Sequence, residues 1–365
     1  MASLRESGLL EKPTLPRMNY TFASDNSAGI CPEALAALNA ANSGHVASYG
    51  DDPITARAKS MLRELFETDC DVFFVFNGTA ANSLALSSAC QSHQSIFCHE
   101  HAHADTDECA APEFFTGGSK VIPLPGENGK LDPAAIEAAT HRGHGIHYPK
   151  PGAITFTQST ELGTVYTLDE IKALAEVASR HSLTLHMDGA RFANAMVALR
   201  QQNEKVSPAD ATWRAGVDVM SFGGTKNGMH TTEAVVFFNR ELARDFDYRI
   251  KQSGQLASKQ RFAAAQWTAM LENDTWLRYA AHSNTMAHRL SAGLADLPGC
   301  RLQFPTEVNG VFIEMSPELS EGLAARGWEF YPFVGPQGYR LMCGWDTQSD
   351  EVDALISAAR ELTGA

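Results

Sequence analysis

The sequence predicts an α/β protein: a mainly parallel, seven-stranded sheet flanked by helices, with a smaller α+β domain at the C-terminal end. Three observations lead there. Seven short apolar runs between residues 71 and 238 alternate with longer segments of helical period, the pattern of strand–helix–strand units. The runs are apolar on both faces, as strands covered by helices on each side must be. Beyond about residue 245 the texture changes to a long alanine-rich helical stretch and then to separate strand-like pieces.

Composition sets the outer limits. A chain of 365 residues suits about two domains. With 44% hydrophobic and 20% charged residues it holds enough apolar surface for a sizeable core, which excludes disorder as its main state. The net charge of −14, with no basic run, argues against a nucleic-acid partner, because like charges repel a phosphate backbone. No apolar stretch approaches the roughly 20 residues that span a bilayer. Met1–Arg17 is mixed and charged, without the apolar middle of a secretion signal. The 7 cysteines, an odd number with no C-x-x-C spacing, read as thiols of a reducing compartment, so the expected location is the cytoplasm.

In chain order, Asp71–Phe76 reads as the first strand, followed by a helix over Thr79–Cys90. Ser95–Cys98 and Val121–Leu124 are the next two strands, and Asp132-Pro133 opens a helix at Ala134. Ala153–Phe156 is the fourth strand. A helix over Leu168–His181 places apolar residues at 171, 174, 175 and 178, on one face. Leu183–Met187, Val217–Phe222 and Ala234–Phe238 complete the seven strands. A helical region then spans Phe262–Leu297 until Pro298-Gly299 breaks it, and Gly310–Met315, Tyr339–Cys343 and a last helix over Ser349–Leu362 form the tail. The resulting division is an N-terminal arm over 1–20, a large domain over 21–250 and a small one over 251–365.

Three constellations carry chemistry. Asn77-Gly78-Thr79 joins a strand to a helix, where unpaired backbone N–H groups and the helix dipole suit a phosphate. Taken alone, it is also what an ordinary Thr-capped turn looks like. Asp188, in His186–Arg191, lies where a strand ends, the edge at which open parallel sheets collect ligands. Lys226 sits in the glycine-flanked string Phe222–Gly228 after another strand, and an amine so placed suits Schiff-base chemistry. Pyridoxal 5′-phosphate wants all three at once: a phosphate cradle, a lysine for its aldehyde and a carboxylate facing its pyridine nitrogen.

Beyond these parts, the chain resembles the L-threonine aldolases of the fold type I aminotransferase superfamily. The likeness rests on Ser24-Asp25-Asn26, Tyr49–Pro53, Asn77-Gly78-Thr79, the His103…Glu108 spacing, Asp188–Arg191 and Thr225-Lys226. The segment His103–Phe115 further resembles the low-specificity, phenylserine-cleaving branch. The resemblance implies a lyase that splits L-threonine, L-allo-threonine or phenylserine into glycine and an aldehyde. It implies that Lys226 holds the cofactor aldehyde, Asp188 the ring nitrogen, and Gly78 and Thr79 the phosphate, with His103 stacked on the ring. Arg191 would lie near the phenolic oxygen and the substrate carboxylate, which Ser24 and Arg340 would also meet. Tyr49 would lie near the site, reaching towards that of a neighbouring subunit in a homotetramer. Lys251 or Lys259 would lend charge to a neighbour's phosphate.

One departure stands out. Where many relatives carry a second active-site histidine, this chain has Gln158–Thr164, with Glu161 in that place. The base that takes the substrate hydroxyl proton is therefore open between His103, Glu161 and water. The alternating His99, His101 and His103 also have a metal-binding look, but ring stacking by His103 accounts for the segment without an ion, and no metal is expected. His141, His144 and His147 straddle glycines and read as a solvated loop. The alternatives to an aldolase are another fold type I lyase or racemase acting on amino acids, a metal-dependent hydrolase built on His99–His103, and a non-catalytic binding module.

Overall fold

A computed structural model describes residues 19–365. Of the N-terminal arm expected over 1–20, all but the last two residues lie outside that range. The large sheet contains β1 (Asp71–Val75), β2 (Gln94–His99), β3 (Lys120–Leu124), β4 (Lys150–Thr157), β5 (Thr184–Gly189), β6 (Val219–Gly223) and β7 (Glu233–Phe237), one for each apolar run of the sequence. Their order across the sheet is β3-β2-β4-β5-β6-β7-β1. Neighbours from β3 to β6 are parallel, while β7 runs antiparallel to both β6 and β1. As a result β1, β4, β5 and β6 all finish at the edge where β7 begins.

Strand period splits the side chains between two faces. Leu185 and Met187 of β5, with Met220 and Phe222 of β6, join the main core under helices Pro53–Phe66, Leu168–Arg180 and Phe192–Gln202. His186 and Asp188, one residue out of step, face the other side, where helix Gly78–Ala89 lies. There Ala81, Leu84 and Ala85 pack on Val219 and Val235. Helix Leu168–Arg180 begins with a capping box between Thr167 and Glu170, satisfying two otherwise orphaned N–H groups.

The expected helix over 262–297 is interrupted. Arg261–Leu271 and Thr275–Leu294 are separate helices, joined by Glu272–Asp274. Asn273 (φ 54°) and Asp274 (φ 53°) occupy the left-handed region, which ends one helix and reorients the next. A second, four-stranded antiparallel sheet follows, formed by β8 (Cys300–Leu302), β9 (Gly310–Met315), β10 (Tyr331–Pro332) and β11 (Gly338–Met342) in the order β10-β11-β9-β8. Val311, Ile313 and Leu341 of this sheet pack with Val352, Leu355 and Ile356 of helix Ser349–Thr363 into a core of their own. Helix Thr275–Leu294 serves both cores: Trp276, Leu277 and Ala280 belong to the first, and Met286, Leu290 and Leu294 to the second. Among the described residues, which include all seven cysteines, every thiol is free, and no helix is long and apolar enough to cross a membrane.

Candidate active site

The edge where those strands finish holds a cavity of about 260 Å³, lined among others by Gly78, Thr79, His103, Asp188, Lys226 and Glu233. At one end helix Gly78–Ala89 presents its N-terminus. The Asn77 side chain accepts the Ala80 N–H (2.9 Å), leaving the N–H groups of Gly78 and Thr79 for a ligand. A Cβ at Gly78 would meet nothing within 4 Å, so the cradle is open in front of it.

One turn along the same helix, Asn82 ties the carboxylates together. Its Nδ2 donates to Asp188 Oδ2 (2.9 Å) and to Glu108 Oε1 (2.8 Å). Asp188 Oδ1 accepts the Ala190 N–H (3.0 Å), so both of its oxygens are held. Glu108 Oε1 lies 2.8 Å from His103 Nδ1, and this bond raises the imidazole's proton affinity against the opposing effect of burial, helped by the charges of Glu161 and Asp188. His186, two residues before Asp188 on the same face, bridges Thr155 Oγ1 (2.8 Å) and Ser221 Oγ (3.1 Å) across three strands. Burial carries its pKa down to about 4, so a neutral ring lies beside Asp188.

Lys226 occupies the tight turn Thr225–Asn227 after β6. Gly223 and Gly224 are required by close packing: a Cβ at Gly223 would lie 2.2 Å from the Ala190 carbonyl oxygen, and one at Gly224 2.6 Å from that of Thr232. They make room for the backbone of neighbouring segments. Glu233, at the start of β7, accepts the Gly224 N–H.

Arg191 follows Asp188 and turns towards Asp25. Its Nε and Nη2 donate to the two Asp25 oxygens (2.6 and 3.0 Å), and Asn309 Nδ2 adds a third bond (3.1 Å). Burial works against this carboxylate, but Arg191 and Lys226 outweigh it and bring Asp25 down to about 2. Arg191 Nη1 remains, 3.9 Å from Glu161 Oε2. Both residues line a narrow cleft shared with Arg340 of β11. The Arg340 guanidinium lies 5.1 Å from the Phe333 ring centre, and its buried Nε has no hydrogen-bond partner among the described residues.

Residues 21–317 match the family described as beta-eliminating lyase. A low-specificity L-threonine aldolase of a Pseudomonas species is 56% identical over 94% of this chain and 98% of its own length. The Leishmania major threonine aldolase structure superposes with a TM-score of 0.88 at 30% identity, over 94% of this chain and all of that one. This chain belongs to the threonine aldolase family. More distantly, mouse CSAD shares the fold alone, with a TM-score of 0.73 at 15% identity.

Threonine aldolases work with pyridoxal 5′-phosphate, and the residues present fit it. The open cradle at Gly78 suits its phosphate, Lys226 offers the amine, and Asp188 a carboxylate already fixed at both oxygens. Other residues singled out from the sequence fall elsewhere. Ser24 lines a separate hollow with Thr21, Ser27 and Glu351, and its neighbour Asn26 lines the cavity instead. Tyr49 is exposed, outside the cavity of its own chain, with Lys251 Nζ 5.0 Å from its ring centre, and Lys259 is exposed nearby. His99 donates from Nε2 to the Gly126 carbonyl (3.0 Å) and accepts the His101 N–H at Nδ1 (3.1 Å), so both ring nitrogens are engaged. His141, His144 and His147 are exposed, as read from the sequence; His141 also meets Glu137, which His181 and Arg180 hold. Asn82, Asn309 and Glu233 carried no sequence signal. Glu108 showed only as a spacing from His103.

Proposed function

We propose that this chain cleaves L-β-hydroxy-α-amino acids (L-threonine, L-allo-threonine, phenylserine) into glycine and an aldehyde with pyridoxal 5′-phosphate. The observation that carries the reading is the presence of Lys226 and Asp188 on one cavity with a free helix N-terminus at its end. When bound, the cofactor supplies a ring that accepts the electrons released as the Cα–Cβ bond breaks. Lys226 holds its aldehyde carbon, Gly78 and Thr79 its phosphate, and Asp188 its ring nitrogen. His103, anchored through Nδ1 to Glu108, stacks on the ring and keeps Nε2 for the substrate.

The substrate carboxylate falls chiefly to Arg340, whose Nε is unmatched. Arg191 adds only Nη1, since Asp25 takes its other nitrogens. Fixing the carboxylate orients the substrate and so selects the bond that breaks. The β-hydroxyl proton leaves to Glu161, to His103 or to water. Glu161 faces the cleft that holds both arginines.

Purified protein should show a visible cofactor band and release glycine and acetaldehyde from L-threonine, whereas Lys226→Ala loses both. An intact band with normal turnover in that variant would overturn the assignment, and ammonia with a 2-oxo acid in place of acetaldehyde would indicate an eliminating lyase. For the base, Glu161→Gln and His103→Phe are compared at saturating substrate. The variant that slows cleavage by about tenfold or more marks the base, and if neither does, the proton leaves through water. We also read the chain as a cytoplasmic homotetramer with sites between subunits, in keeping with the exposed Tyr49. A monomer in sedimentation velocity would overturn that.

A further inference from the structure

We propose that Glu233 is a positioning residue for Lys226: its carboxylate pins the turn that carries the lysine and places a titratable charge on the cavity the two share. The inference rests on the role given to Lys226 above. Because β7 runs against its neighbours, Glu233 opens that strand at the edge where β1 and β6 finish, level with Val75 and Gly223. Its side chain is buried, yet it lines the same cavity as Lys226, His103 and Asp188. The Gly224 N–H, two residues before Lys226, donates to Glu233 Oε2. The adjoining residue Thr232 holds the turn from a second side: a Cβ on Gly224 would lie 2.6 Å from its carbonyl oxygen, and its hydroxyl accepts from Trp267 Nε1 (3.0 Å).

A carboxyl group in such a place is expensive, and an apolar residue would fill it without the desolvation penalty. Charge explains the choice. Burial pushes Glu233 up to about 7, while hydrogen bonds from Thr225 and Gly224 and the charge of Lys226 pull the other way, so the group exchanges its proton near neutrality. The charged groups around it are Lys226 on the turn, Asp188 at the end of β5 and His103 on its short helix. From β1 only the apolar Val75 faces it. When ionised, Glu233 adds a negative charge to the cavity wall that carries Lys226; when neutral, it does not.

The test uses the cofactor-loaded protein and the variants Glu233→Gln and Glu233→Asp. The visible band is titrated with pH, and kcat and KM are measured for L-threonine. Removing the charge should lower the pH midpoint of the band in the Gln variant by about one unit. We expect kcat to fall by about tenfold with KM within about twofold, since the contact acts on Lys226 and not on the substrate. Asp keeps the charge but is one methylene shorter, so it should restore the midpoint and not kcat. If Gln is insoluble, Asp decides by kcat alone, and a wild-type value there overturns the proposal. An unshifted midpoint and unchanged kcat in a soluble Gln variant overturn this inference alone, whereas wild-type protein with no visible band overturns the parent reading and this one with it.

Discussion

On the β5 side of the cavity the carboxylates are already matched: Asp188 has both oxygens taken, Glu108 serves His103 and Asn82, and Asp25 receives three donors. Across the cleft, Arg340 has an unmatched Nε, and Glu161 stands 3.9 Å from its nearest cation. The first side suits a group that stays and needs fixed electrostatics before reaction. The second suits a molecule that arrives and leaves, because Arg340 lines the cleft with a donor that no protein group occupies.

The sharpest way to break this contrast is Asp188→Asn. It keeps the shape but removes the charge, and kcat should drop by about a hundredfold or more. A fall below tenfold in steady-state glycine release would mean the matched side is only scaffolding. Next comes Asp25, whose carboxylate titrates at about 2 against an ordinary 3.8. A depressed acid contributes stability above its unfolded pKa and loses it as pH falls, so about 2 kcal/mol should disappear between roughly pH 4 and pH 2. Asp25→Asn should lose about 3 kcal/mol at neutral pH by leaving Arg191 buried and uncompensated. Urea denaturation at several pH values checks both, and the gap between wild type and variant should narrow in acid. The smallest expected effect lies on the open side: Arg340→Leu should raise KM for L-threonine about tenfold by removing a charge-assisted contact. Because nothing in the fold depends on that Nε, its urea midpoint should stay near the wild-type value.

Much of this was legible in the sequence, for physical reasons. Strands of a sheet covered on both sides are largely apolar, so all seven stood out as runs. Lys226, Asp188 and Gly78 could be found because each lies at or just after the end of a strand and so marks the ligand-collecting edge. Glu233 escaped that rule: in a reversed strand it is the first residue, not one after the last, that reaches this edge. Asn82 was hidden inside an apolar helix, where only the three-residue step from Thr79 places it under Asp188. The break at Glu272–Asp274 was masked by helix-compatible residues on both sides, and only the polar Asn273-Asp274 pair hints at left-handed backbone. The direction of Ser24, away from the cavity, is set by tertiary packing that no local pattern encodes.

Helix Thr275–Leu294 ties the fates of the two units together. A single rod whose first half is rooted in one interior and whose second half is rooted in the other cannot melt at one end without stripping the other of its packing surface. Heating should accordingly dismantle the polypeptide in one calorimetric step rather than two.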